Sequence, residues 1–413
     1  PKPSSAASDV YKRQIKSGGI GTVTKIIAEE LVRRGHIVHV VCGILPTYNV
    51  PEYEIVNGVI IHRFIYFQKI GFMFKAINKG KDSILIRLLK RTNLMTKLTR
   101  IEFDRTHAII KKLIKDDDIE IVEFPDYLKL SDFYKFKLRM PFPKYDIPVV
   151  ARVHGCQTFA GFYRDGKIDE VNKFNDSSFF NSVDRIAAVS RFSADFINDI
   201  LGLHRDLDVI YNPIDLNKLL ATVKTLPESN GLGKNIVFLG KIVETKGAFK
   251  LIEAFNIFSR THPDYKLVMI GGGDLERGKS MLSPENKKKV IFTGYQSREQ
   301  VCKYLKEATF CVVPSFFENF SMVALEIMAL GKALVYTQES SGKEIINDGD
   351  DGLLVDPRNV DQLVEKMELL ATDNQLRYDM GAKAAKKIQD HFTVDAIVSE
   401  LEYYYQYIIK VYA

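Results

Sequence analysis

Pro314-Ser315-Phe316-Phe317-Glu318-Asn319-Phe320-Ser321-Met322-Val323-Ala324-Leu325-Glu326-Ile327-Met328-Ala329-Leu330-Gly331 is the stretch whose reading decides the fold. Just before it, Thr309 to Val313 is a short run of β-branched, aromatic and sulfur-bearing residues that predicts a strand, and Pro314 stops it. After the loop, Ser321 offers an N-cap oxygen to a helix. From Phe320 to Gly331 only Ser321 and Glu326 are polar, so this helix is apolar on all sides and belongs in a core. A loop is thereby placed at the N-terminus of a buried helix.

Glu326 needs a partner in such a helix, because burying an unpaired carboxylate is costly. An Arg, a Lys or a backbone amide of a neighbouring element would serve. Glu318, eight positions earlier in the loop, adds a ligand to those choices. One acid then precedes the helix start and the other lies inside it, and together they bracket amide groups that attract anions. A nucleotide sugar has the matching layout: a ribose diol for Glu326, a diphosphate for the helix-start amides and a hexose for Glu318.

Glu318, seven intervening residues and Glu326, preceded by Pro314-Ser315 and followed by Ala329-Leu330-Gly331, resemble the E-x7-E signature of the family 4 retaining glycosyltransferases of the GT-B fold. The family's Glu-Gly-Phe-Gly is here Glu318-Asn319-Phe320-Ser321, without its two glycines. The resemblance runs from Gly18 over nearly the whole chain and is strongest in Asn235 to Val355. It implies an α/β chain of two Rossmann-like, doubly wound domains facing a central cleft, with a C-terminal helix crossing back to the first domain. The expected domains are an acceptor-binding one at 15–215, a nucleotide-sugar-binding one at 216–392 and the returning helix at 393–413.

The chain as a whole is compatible with this. Its 413 residues suit two domains, and 46% hydrophobic with 27% charged residues are values of a globular protein. A formal net charge of +6 is modest for this length, so nucleic acid is not an expected partner. No run of 18 apolar residues and no signal peptide is visible, which predicts a cytoplasmic protein. Cys42, Cys156, Cys302 and Cys311 lack metal or disulfide spacing and read as buried thiols. Asp116-Asp117-Asp118 reads as a solvated turn, and no metal site is expected.

Along the chain, residues 1–14 hold little that predicts a strand and are read as non-native, so the first domain is expected to lack its opening central strand or to fill it crudely. Gly18-Gly19-Ile20-Gly21-Thr22 enters a helix with Val23, Ile26, Ile27 and Leu31 on one stripe, ended by Arg33-Arg34-Gly35. Apolar runs at 36–42, 59–64, 119–124, 147–153, 185–190 and 208–211, several separated by helical stretches, predict parallel sheet. Residues 220–234 read as the interdomain linker, and 235–239, 266–270 and 290–293 as strands of a second sheet, with a final helix over about 394–411.

The resemblance also assigns roles. His154, at a strand end, would stand beside the reacting sugar, with Glu318 holding the hexose as its catalytic companion. Gly19 would approach donor phosphate and acceptor. Lys241 and Lys246 would clamp the diphosphate, Lys241 standing where the family usually has Arg. Gly272 and Tyr295, at two strand ends, would border the same cleft with Tyr295 near the base, Asn319, Phe320 and Ser321 would line the donor loop, and Glu326 would take the ribose. No cofactor or metal is implied. The leaving diphosphate would depart from the face that the acceptor hydroxyl attacks, and its phosphate would take the proton. A sugar-nucleotide epimerase or phosphorylase of the same fold, or a non-catalytic sugar-nucleotide binder, remains as an alternative. A nicotinamide dehydrogenase is disfavoured because Gly18-Gly19-Ile20-Gly21 lacks a full G-x-G-x-x-G.

One stretch adds a partner. Residues 67–115 carry 13 Lys and Arg against 3 Asp and Glu, interleaved with apolar residues such as Phe72, Phe74, Leu88 and Leu89. Helices with one basic and one apolar face suit an anionic membrane surface or a solvated face over a core. With the resemblance, the first reading predicts peripheral membrane docking and a glycan or lipid-linked acceptor, in cell-surface polysaccharide or glycolipid synthesis.

Overall fold

The computed structural model describes residues 3–6, 19–44, 50–65, 93–126, 142–227 and 234–412. The chain forms two α/β units: Pro1–Val189, Ala194–Ile210 and Val398–Ala413 make the first, Ser190–Ser193 and Tyr211–Ile397 the second.

In the first unit eight strands run in the order β3-β4-β2-β1-β5-β6-β7-β8. They are β1 (Pro3–Ala6), β2 (His39–Ile44), β3 (Tyr53–Val56), β4 (Val59–Ile65), β5 (Ile121–Pro125), β6 (Val149–Val153), β7 (Arg185–Ala188) and β8 (Asp208–Val209). All pair in parallel except β3, which turns back on β4 through Asn57-Gly58, both with positive φ. Every residue of β2 and of β6 is buried, as strands covered on both faces must be.

Of the two expected outcomes for the opening central strand, missing or crudely filled, the structure shows the second, a strand of four residues. β1 lies between β2 and β5 and pairs in parallel with both, through Ser4 opposite His39 and Ser4 opposite Val122. Strand ladders are made by backbone groups, so Pro-Ser-Ser-Ala can complete a sheet although its composition predicts none. The alternative strand position in the sequence, 10–16, lies outside the described residues. A small cavity of about 20 Å³ is lined by Val23, Ile27 and Leu31 of helix Gly19–Arg33, by Glu123 of β5 and Arg152 of β6, and by Tyr405.

In the second unit the order is β11-β10-β9-β12-β13-β14, all parallel. The strands are β9 (Asn235–Leu239), β10 (Lys266–Ile270), β11 (Val290–Gly294), β12 (Phe310–Val313), β13 (Leu334–Thr337) and β14 (Leu353–Val355). Phe238, Phe255, Phe258, Met269, Val312 and Val335 are among the buried residues of its core. The linker expectation is corrected in part: Leu216–Lys224 is a helix, capped by Asp215 accepting from the Lys218 amide, and its single buried residue is Leu219. Leu216, Leu219, Leu220 and Val223 stand at i, i+3, i+4 and i+7, a helical stripe that a linker starting at 220 cuts in two. Residues 228–233 lie outside the described ones. Helix Val394–Tyr412 starts in the second unit, and its residues from Val398 on group with the first. All four cysteines are buried.

Candidate active site

The second sheet reverses its strand order between β9 and β12, because β10 follows β9 on one side while β12 and β13 extend the other. Open α/β sheets bind ligands at the carboxyl ends of strands at such a point. Lys241 and Lys246 follow β9, and Glu318 follows β12. Lys246 Nζ donates to Glu318 Oε1 at 2.7 Å, and Ser315 Oγ donates to the same oxygen at 3.0 Å. Backbone contacts make that meeting. Phe316 N donates to Thr245 O at 3.0 Å, and Gly247, at φ 66°, lies so close to Pro314 that a Cβ there would stand 1.8 Å from its carbonyl oxygen. Farther along, Ser340 Oγ accepts from Glu318 N at 3.3 Å and Ser341 Oγ donates to Glu318 O at 3.1 Å. Ser340 itself holds φ 56°, an uncommon conformation for a residue with a side chain.

Asn319, Phe320 and Ser321 lead from Glu318 into helix Met322–Ala329. Ser321 caps it with φ −82° and ψ 111°, its Oγ accepting from Ala324 N at 3.3 Å. Asn319 Oδ1 accepts from Ser193 Oγ at 3.2 Å. Phe320 is buried, its ring stacked on Tyr211 at 4.9 Å and packed on Phe392 at 5.6 Å. Its side chain therefore anchors the loop, leaving the backbone as the part that can face a ligand.

The loops after β9, β10 and β11 are laced together. Ile242 N donates to Gly272 O and Gly271 N to Gly294 O, both at 2.9 Å. A Cβ on Gly272 would meet the ring of Tyr295 at 2.2 Å, so only glycine lets that exposed ring lie against the backbone. Lys241 is exposed at the end of β9. Glu326 forms an ion pair with Arg298, Nη1 to Oε1 at 2.6 Å. Burial pushes the Glu326 carboxyl up, and Arg298 pulls it back only in part.

In the first unit Gly19 opens its helix and is exposed; Gly18 lies outside the described residues. His154 follows β6. The buried carboxylate of Asp126, one residue past β5, accepts from His154 N at 3.0 Å and Gly155 N at 2.8 Å and so fixes this turn. Burial, with the Arg152 cation adding to it, lowers the His154 imidazole to about 3, so it is neutral at physiological pH.

Sequence reasoning missed Arg298, Asp126, Ser340 and the role of Glu344, whose carboxylate accepts from Arg191 N at 2.7 Å and Phe192 N at 2.9 Å. Asp126 left a signal as the acid just past the carboxyl end of the strand at 119–124. Among the described residues no group of three His, Cys, Asp or Glu is arranged to hold a metal, and no helix is long and apolar enough to cross a membrane.

Two α/β units built on parallel sheets, the second with Lys246 and Glu318 paired after its strands at the switch point, form the GT-B fold. The profile of Glycosyltransferase Family 4 matches residues 17–218 and that of Glycosyl transferases group 1 residues 226–387. The chain belongs to family 4 of the glycosyltransferases. An uncharacterised glycosyltransferase of Methanocaldococcus jannaschii is 26% identical over 398 residues, covering 93% of each chain. N-acetyl-alpha-D-glucosaminyl L-malate synthase of Bacillus anthracis is 22% identical over 402 residues, covering 95% of each. Among solved structures, sucrose-phosphate synthase from Thermosynechococcus elongatus superposes with a TM-score of 0.75 at 17% identity over 100% of both chains. Anabaena HepE in complex with UDP gives 0.65 at 14% identity, covering 97% of this chain and 98% of that one.

Proposed function

We propose that the protein is a retaining glycosyltransferase moving a hexosyl group from a nucleoside-diphosphate sugar to a glycan or lipid-linked hydroxyl, in cell-surface polysaccharide or glycolipid synthesis. The observation that carries this is the 2.7 Å pairing of Lys246 with Glu318 at the switch point, beside the capped start of helix Met322–Ala329. In this reading Lys241, Lys246 and the helix-start amides face the diphosphate. Glu318 holds the hexose, Glu326 the ribose, and Gly272 and Tyr295 border the base. Neutral His154 offers a hydrogen bond at the reacting centre. The anomeric carbon–oxygen bond to the diphosphate breaks, the acceptor oxygen bonds that carbon on the same face, and the acceptor proton passes to the departing phosphate. The protein supplies position and charge stabilisation. Support for the donor class comes from the relatives solved with UDP and glucose or with UDP-2-fluoro glucose. Support for a lipid-linked acceptor comes from a Campylobacter jejuni relative named as a diphospho-undecaprenol N-acetylgalactosaminyltransferase, 29% identical over 245 residues.

The purified chain, screened against UDP-, GDP- and ADP-sugars, should be stabilised by one nucleotide class, because a ligand that binds only the folded state raises the unfolding midpoint. Sugar transfer to an acceptor should survive EDTA, since the lysines and amides already oppose the diphosphate charge. Loss of transfer restored by magnesium would show this wrong, and sugar transfer to water or phosphate alone would favour the epimerase or phosphorylase reading.

The basic stretch 67–115 is proposed to dock on an anionic membrane. Residues 66–92 lie outside the described ones, and Asn93–Asp116 is a helix. Co-sedimentation should require anionic lipid and weaken as salt screens the charge. No binding to anionic vesicles at low salt would leave a soluble acceptor.

A further inference from the structure

Arg298 is the first residue of helix Arg298–Glu307, just after N-cap Ser297, whose Oγ accepts from Gln300 N at 3.3 Å. A cation in the first turn opposes the helix dipole, so the local rule for a helix start is broken here. What Arg298 gains is Glu326, 2.6 Å away, on a helix whose Ala324, Leu325, Ile327 and Met328 are all buried. The pair joins Arg298 Nη1 to one carboxylate oxygen, Oε1.

We propose that Arg298 is a positioning residue for nucleoside recognition: it keeps Glu326 ionised and turned so that its carboxylate accepts both hydroxyls of a ribose. This rests on the reading that Glu326 binds the ribose. A carboxylate accepts two O–H donors, whereas a protonated acid spends one oxygen as a donor and discriminates the diol poorly.

The surroundings leave this task to Arg298. On its own helix the other titratable group coupled to Glu326 is the buried thiol of Cys302. Helix Asn374–His391, which also packs on Met322–Ala329, buries Met380, Gly381, Ala384 and Ile388. Desolvation already raises the Glu326 carboxyl, and Arg298 is the cation that opposes it. Removing Arg298 therefore raises it further, and the binding-competent ionised form is lost at a higher pH.

The test uses the full chain and isothermal titration of UDP, GDP and ADP between pH 5.5 and 8.5, with the 2′-deoxy counterpart of whichever binds best. Arg298→Met should bind the ribonucleotide about tenfold more weakly than the parent at pH 6 and recover most of that by pH 8.5, and its ribose-over-deoxyribose preference should follow the same curve. Should Arg298→Met not fold, Arg298→Gln carries the same expectation. A loss equal at every pH, or none at pH 6, overturns the proposal. Glu326→Gln tests the underlying reading separately and should abolish the ribose preference at all pH values. If it keeps that preference, or if the parent chain binds none of the three nucleotides, the ribose assignment of Glu326 fails and this proposal with it.

Discussion

Lys246→Ala should weaken nucleoside-diphosphate binding about 10- to 100-fold, and adding Glu318→Gln to it should restore part of that affinity. Reading the residues one at a time gives Lys246 to the diphosphate and Glu318 to the hexose, which predicts one binding variant and one turnover variant. The geometry couples them: Lys246 Nζ lies 2.7 Å from Glu318 Oε1, and the Glu318 side chain is 16% exposed. Truncating the lysine leaves a half-buried carboxylate beside the site proposed for an anionic leaving group, so repulsion adds to the lost contact. Neutralising the acid removes that repulsion, which is why the double variant should bind better than Lys246→Ala. Glu318→Gln alone should lower kcat about 100- to 1,000-fold, with a smaller effect on nucleotide affinity. Titration calorimetry on the three variants decides the matter. A double variant binding more weakly than Lys246→Ala would mean that the two side chains contribute independently.

Much of the fold was legible because both sheets are covered on both faces. β9 and β10 were read to the residue as Asn235–Leu239 and Lys266–Ile270, since a strand buried on both faces is a continuous apolar run ending where polar residues resume. Helix Met322–Ala329 was legible for the same reason, with Ser321 marking its start. β3 was not read: its residues alternate between exposed and half-buried over Tyr53–Val56, a pattern too short and too weak to rise above loop. β1 escaped because Pro-Ser-Ser-Ala is no apolar run, and its place shows only in the backbone pairing with β2 and β5.

The site was legible where chemistry is written in one local stretch and illegible where it depends on partners distant in sequence. Glu318 and Glu326 announce themselves as acids bracketing a helix start. The need of Glu326 for a partner was also legible, but not which residue meets it, because Arg298 lies on another helix and no spacing rule points to it. Asp126 likewise acts through two backbone amides donated by a turn 28 residues away. Nor does sequence show that the Phe320 ring turns into a cluster with Tyr211 and Phe392, since an aromatic in a donor loop serves equally as platform or anchor.

The approach of Lys246 to Glu318 depends on a backbone contact one residue along, so Gly247→Ala should abolish donor binding although no functional group is changed. Gly247 has φ 66°, ends the 3-10 turn Glu244–Lys246 and begins helix Ala248–Thr261. An alanine there costs about 1–2 kcal/mol for its left-handed conformation. Its Cβ would also stand 1.8 Å from Pro314 O and 2.7 Å from Pro314 C, which are backbone atoms that cannot swing aside. The two loops must then part, adding about 1–3 kcal/mol of overpacking and pulling Lys246 away from the loop that carries Glu318. Gly349 supplies the control: its φ is 80°, and a Cβ there meets nothing within 4 Å. Gly349→Ala should show the conformational cost alone, a lowering of the unfolding midpoint by a few degrees with nucleotide affinity intact. Gly247→Ala should fall well below it in midpoint and lose nucleotide-induced stabilisation. If the two variants melt together and Gly247→Ala still binds nucleotide like the parent, the packing of Gly247 against Pro314 is not what brings the clamp lysine to the acid.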